Sequence, residues 1–84
     1  MRKTISLHTY WTEWMEFSLT KFQLLKLRGF VLANTDKTIS MEGYRFKMIS
    51  GFLYFSNSGV PSELYFEMPL NDVVVEIDRA LSEF

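Results

Sequence analysis

Apolar and polar residues alternate most regularly between positions 44 and 68, interrupted only by short turn sequences. Tyr44–Ile49 (YRFKMI) and Phe52–Asn57 (FLYFSN) read as two strands joined by Ser50-Gly51, a two-residue connection in which Gly51 can supply a positive φ. That turn sets the register, because opposed residues of an antiparallel pair share a face: Met48 meets Leu53 and Phe46 meets Phe55 on one side, while Lys47 meets Tyr54 and Arg45 meets Ser56 on the other. A second break, Ser58-Gly59-Val60-Pro61, is expected to be a four-residue loop that sets Phe55 against Leu64 and Leu53 against Phe66. Phe46, Met48, Leu53, Phe55, Leu64, Phe66 and Met68 then form one uncharged face of a three-stranded meander, which has to be covered. The opposite, mixed face reads in rows as Arg45, Ser56, Glu63, then Lys47, Tyr54, Tyr65, then Ile49, Phe52, Glu67.

Elsewhere the period changes. Residues 3–8 alternate with Ile5 and Leu7 on one side and predict a short strand. Over 10–28 a 3.6-residue wheel gathers Trp11, Trp14, Met15, Ser18, Leu19, Phe22 and Leu25, with Glu13, Glu16, Thr20 and Gln23 opposite, and predicts a long amphipathic helix. Thr9 is its expected N-cap and Gly29 its left-handed terminus, with Phe30 folding back on Leu25. A competing pattern runs through the same stretch, since Ile5, Leu7, Trp11, Met15 and Phe17 all hold odd positions, as in a strand continuing to Phe17. Leu24 and Leu27 fall off the helical stripe, so either the helix is wedged in a groove or these two side chains meet a partner.

Residues 30–33 are an apolar run expected to enter the sheet, 34–37 carry turn chemistry, and Thr38–Met41 alternates again before a bulge or tight turn at Glu42-Gly43. Pro69 closes the sheet. Asn71 is then the expected N-cap of a C-terminal helix, with Val73, Val74, Ile77, Leu81 and Phe84 at helical spacing. The predicted fold class is α+β in a single domain over 1–84: a small antiparallel sheet with a long helix in the N-terminal half and a C-terminal helix, both packed on the core face.

A chain of 84 residues buries only about 60–65% of its unfolded surface, which leaves a thin stability margin. Aromatic residues make up 17% of it and offset the small size. The absence of cysteine excludes disulfides, thiolate metal sites and cysteine nucleophiles, and points to a cytoplasmic setting. The N-terminus starts like a signal peptide but lacks the apolar run, and no segment is long enough to span a bilayer. The net charge of -1 conceals an asymmetry: residues 1–47 carry eight basic and four acidic side chains, residues 48–84 one and six.

Catalytic chemistry finds little support in the residues. His8 is the single histidine, there is no glycine-rich phosphate loop, and no cluster of His or Asp has metal-ligand spacing. Glu63 and Glu67 on one strand would lie about 13 Å apart, too far for a paired-carboxylate mechanism. A non-enzyme without metal or cofactor is therefore expected. The basic residues Lys21, Lys26 and Arg28 fit a solvated helix end. The candidate partner-binding set is Arg45, Lys47, Phe52, Tyr54 and Tyr65, flat amphipathic rings flanked by cations on a rigid sheet, a combination enriched among interface anchors.

Gly51-Phe52-Leu53-Tyr54-Phe55 resembles the aromatic strand of RNA-recognition motifs over those few positions. Leu53 stands where that family has a small residue and Ser50 where it has a base, and no helix separates this strand from the next, so the chain is not assigned to it. The expected function is a small interaction protein that binds another protein as an inhibitor, antitoxin-like neutraliser or adaptor, with the general look of accessory proteins of phages and other mobile elements. Alternatives are a single-stranded RNA binder using Arg45, Lys47, Tyr54 and Tyr65, and a structural homo-oligomer joined through its mixed faces.

Overall fold

The computed structural model describes residues 1–10, 13–57 and 63–84. The fold is α+β, with two helices and two antiparallel sheets of two and four strands. The elements are β1 (Arg2–His8), β2 (Trp14–Thr20), α1 (Lys21–Ala33), β3 (Thr38–Met41), β4 (Tyr44–Ile49), β5 (Phe52–Asn57), β6 (Glu63–Pro69) and α2 (Leu70–Leu81).

The long helix expected over 10–28 is replaced by a strand followed by a shorter helix. Met15, Phe17 and Leu19 alternate inward on β2, which pairs with β1 from His8↔Trp14 to Arg2↔Thr20. Period two therefore prevails over the coincidental helical spacing, because pairing with β1 satisfies the backbone and buries Phe17 and Leu19 beside Ile5 and Leu7. Thr9 caps no helix. Its hydroxyl accepts the Glu13 N–H at 3.1 Å, and its own N–H donates to the Glu13 carbonyl at 2.7 Å, closing the hairpin.

The helix starts only at Lys21, where Thr20 and Gln23 form a reciprocal capping box. The Thr20 hydroxyl accepts the Gln23 N–H at 3.2 Å, and the Gln23 side-chain oxygen accepts the Thr20 N–H at 3.0 Å. Gly29 lies inside α1, and the helix ends at Asn34, whose left-handed conformation (φ 47, ψ 42) takes the role expected of Gly29. Residues 30–33 are consequently helical and do not enter the sheet. The stripe is inverted too: Leu24, Leu27, Phe30 and Val31 are buried, while Phe22 and Leu25 face solvent.

The meander folds as its alternation implies. Glu42-Gly43 (φ 52, 81) and Ser50-Gly51 (φ 51, 81) are tight turns with two successive positive φ values, the geometry that matches the twist of the strands they join. The β4–β5 register pairs Phe46↔Phe55, Met48↔Leu53, Lys47↔Tyr54 and Arg45↔Ser56. Between β5 and β6, Phe55↔Leu64 and Tyr54↔Tyr65 hold, but a bulge follows, so that Phe52 pairs with Pro69 and neither Leu53↔Phe66 nor the row joining Phe52 to Glu67 is formed. The bulge has a structural use. It frees Phe66 to bridge Thr9, and the Tyr10 N–H donates to the Tyr65 carbonyl at 2.8 Å, joining β1 to β6. The loop expected at 58–61, Trp11 and the side chain of Glu63 lie outside the described residues.

Phe17 then reaches across to the four-stranded sheet. Its ring meets those of Tyr44, Phe46, Phe55 and Phe66 edge-on at centroid distances of 5.3–6.1 Å, a geometry that adds about 0.5–1.5 kcal/mol per pair to the area buried. Glu42, in the turn between β3 and β4, ties this sheet to β1 and α1: it receives Arg2 at 2.8 Å and the Gln23 amide at 2.9 Å, and these contacts, Gln23 foremost, hold its carboxyl below the usual value. On α2, Val73, Ile77 and Ala80 are buried in the same core. Asn71 is not its cap: Pro69 holds that position without a side-chain bond, and Asn71 lies in the first turn.

Gly29 sits in a helix interior with open space where a Cβ would be. Gly29→Ala is expected to raise stability by about 0.5–1 kcal/mol, a gain of several degrees in Tm by dilute thermal denaturation. A loss of stability, as a left-handed terminal glycine would give, would contradict the assigned helix.

Candidate functional site

The five nominated residues divide between three strands of one face. Arg45 and Lys47 come from β4, Phe52 and Tyr54 from β5, and Tyr65 from β6. All point away from the core, because each neighbours a buried residue of opposite parity: Phe46 and Met48 flank Lys47, and Leu53 and Phe55 flank Tyr54. Leu24, Leu27, Phe30 and Val31 of α1 and Val73, Ile77 and Ala80 of α2 are buried in the core on the other side of the meander. Arg45 and Phe52 are exposed, and Lys47, Tyr54 and Tyr65 are half-buried.

The rings are in mutual contact. Tyr54 and Tyr65 stack at 5.0 Å with planes 26° apart, and Phe52 meets Tyr65 edge-on at 6.1 Å. Tyr10 extends the strip and had not been nominated: its ring lies 4.4 Å from Tyr65. Its signal was present in the chain, since a β1 strand burying Ile5 and Leu7 turns even positions, His8 and then Tyr10, to the mixed face. His8 lies beyond it, with Nδ1 at 3.5 Å from Glu67 and its ring 5.1 Å from Trp14. The arrangement makes His8 one end of a polar-aromatic track, held against β6 also by its N–H donating to the Met68 sulfur at 3.2 Å.

At the other end, Thr38, Arg45, Lys47, Tyr54 and Ser56 line a hollow of about 150 Å³. Ion pairs among the described residues engage Arg2, His8, Arg28 and Arg79, and neither Arg45 nor Lys47 takes part in one. The hollow thus offers two cations and several hydroxyls to an incoming acceptor, such as a carboxylate or a backbone carbonyl. Among the described residues no group of three or more His, Cys, Asp or Glu could hold a metal ion, and no helix is long and apolar enough to cross a membrane. Compared with known proteins, the chain matches no family model, no curated protein and no solved structure.

Partial burial, and after it the hydrogen bond with the Tyr10 hydroxyl, push the Tyr65 phenol above its ordinary value of 10.0; the neighbouring Tyr54 and Glu67 act in the same direction. A raised phenol favours the neutral ring in the folded state. Its stabilising contribution is present below pH 10.0 and disappears as the pH climbs through the folded value. Phenolate absorbance is expected to show a group, absent in Tyr65→Phe, that titrates above 10.0 and moves down in Tyr10→Phe. No movement in Tyr10→Phe would contradict the contact.

Proposed function

We propose that this protein is a small non-enzymatic interaction protein that binds another protein through the mixed face of its meander, as an inhibitor, antitoxin-like neutraliser or adaptor. The observation that carries the reading is the contiguous row of Lys47, Tyr54 and Tyr65, set on the side of the sheet away from both helices. Stacked tyrosines lose few rotamers on binding and bury large area, and an arginine or lysine beside them supplies directional donors; such residues dominate the energetics of interfaces. Phe52 and Tyr10 widen the strip, and Arg45 with Lys47 gives it a cationic end that suits an acidic rim on the partner. The cysteine-free sequence is compatible with a reducing compartment, and we take the cytoplasm as the setting.

The double variant Tyr54→Ser, Tyr65→Ser should keep its circular dichroism and lose capture of the partner from cell lysate, with affinity for the identified partner down by at least about 30-fold, the effect of removing a central anchor. Unchanged affinity, or binding of single-stranded RNA oligonucleotides that weakens steeply with salt in place of a protein partner, would overturn the proposal.

A further inference from the structure

Several large apolar side chains are exposed on the outer surface of the helical layer. On α1, Phe22, Leu25 and Leu32 lie on the side opposite the buried residues, and Phe22 is 77% exposed. Beside it on α2, Val75 is 66% exposed. The two helices are held together at this surface by Arg28 and Asp78, 2.6 Å apart. Isolated apolar residues at a surface need no explanation, but four large ones on the outer sides of two adjoining helices leave more apolar area in water than a scatter of single residues would.

Charge indicates what covers it. Helix α1 carries three bases, Lys21, Lys26 and Arg28, and no acid. Helix α2 carries three acids, Asp72, Glu76 and Asp78, and one base, Arg79; Glu76 is engaged by Arg79 at 2.6 Å and Asp78 by Arg28, which among the described residues leaves Asp72 outside any ion pair on α2 and Lys21 and Lys26 outside any on α1. After these internal pairings α1 keeps two positive charges and α2 one negative charge, and each helix has exposed apolar side chains. A surface of that kind is complementary to itself. A two-fold axis lying between two such layers and running along the helices sets α1 of each copy on α2 of the other, whereas an axis across the helices would oppose like charges.

We propose that this face is the interface of a homodimer, formed by α1 of one copy against α2 of the second. The dimer turns the mixed sheet faces outward at its two ends, so it requires nothing of the partner-binding role and would present that site twice.

Sedimentation equilibrium of the full chain is expected to show twice the 9.9 kDa chain mass, with dissociation on dilution. Phe22→Glu should return the mass to that of one chain with unchanged circular dichroism, and Leu25→Glu is a second exposed-site variant should the first disturb the neighbouring capping box. Lys21→Glu with Lys26→Glu reverses α1, and Asn71→Lys with Asp72→Lys reverses the exposed start of α2. Each reversed chain should self-associate at least about tenfold more weakly, and an equimolar mixture of the two should recover, because every α1–α2 contact between unlike chains is again of opposite charge. A single-chain mass at every concentration, a dimer indifferent to both glutamate variants, or a mixture no stronger than its components would overturn the proposal.

Discussion

The register of β4 against β5 is the constraint on which the molecule depends. Ser50 and Gly51 both adopt positive φ, and this turn allows Phe46, Met48, Leu53 and Phe55 to share one face while Lys47 and Tyr54 share the other. A slip of one residue would exchange the two sets, placing Lys47 among the phenylalanines and Phe46 in water. The cost of burying an unpaired ammonium is far greater than any gain on the opposite face, so the register has no close competitor. Core and candidate site are thus two consequences of one turn.

Closure of the core comes from β2. Phe17 stands against four rings contributed by β4, β5 and β6, and the hairpin bearing it is joined to β6 through Thr9 and Phe66. The bulge after Tyr65 is what makes this junction geometrically consistent: it detaches Phe66 from β5 and offers it to β1. The same junction brings Tyr10 to Tyr65 and so lengthens the aromatic strip. Packing on the inner side and the aromatic strip on the outer side are linked through backbone bonds of a few residues.

The meander was legible because three independent signals agree there: strict alternation, turns of two residues with glycine, and charges confined to one parity. Residues 10–20 were not, because Trp14, Met15, Ser18 and Leu19 satisfy a helical period while Met15, Phe17 and Leu19 satisfy a strand, and local periodicity cannot weigh the backbone pairing that β1 offers. The decisive local signal was Thr20-Lys21-Phe22-Gln23, a capping box that places the helix start after the strand. Once the helix begins at Lys21 it has apolar residues on both sides, and wheel geometry alone does not say which is inside; only the docking of Leu24 and Leu27 into the core decides it. Parity sufficed to put Arg45, Lys47, Phe52, Tyr54 and Tyr65 on one face of the sheet. For Tyr10 the parity after His8 was in the chain, but its place beside Tyr65 depends on the long-range junction with β6, which no spacing encodes.

The separation of two aromatic populations is the central claim, and nuclear Overhauser contacts between rings test it most directly. The Phe17 ring should show contacts to Phe46 and Phe55, and Tyr54 to Tyr65 and the Lys47 methylenes, with Tyr10 joined to Tyr65 and no cross-peak between Phe17 and Tyr54. Contacts from Phe17 to Tyr54 or Tyr65 would place the tyrosines inside the core and contradict the account.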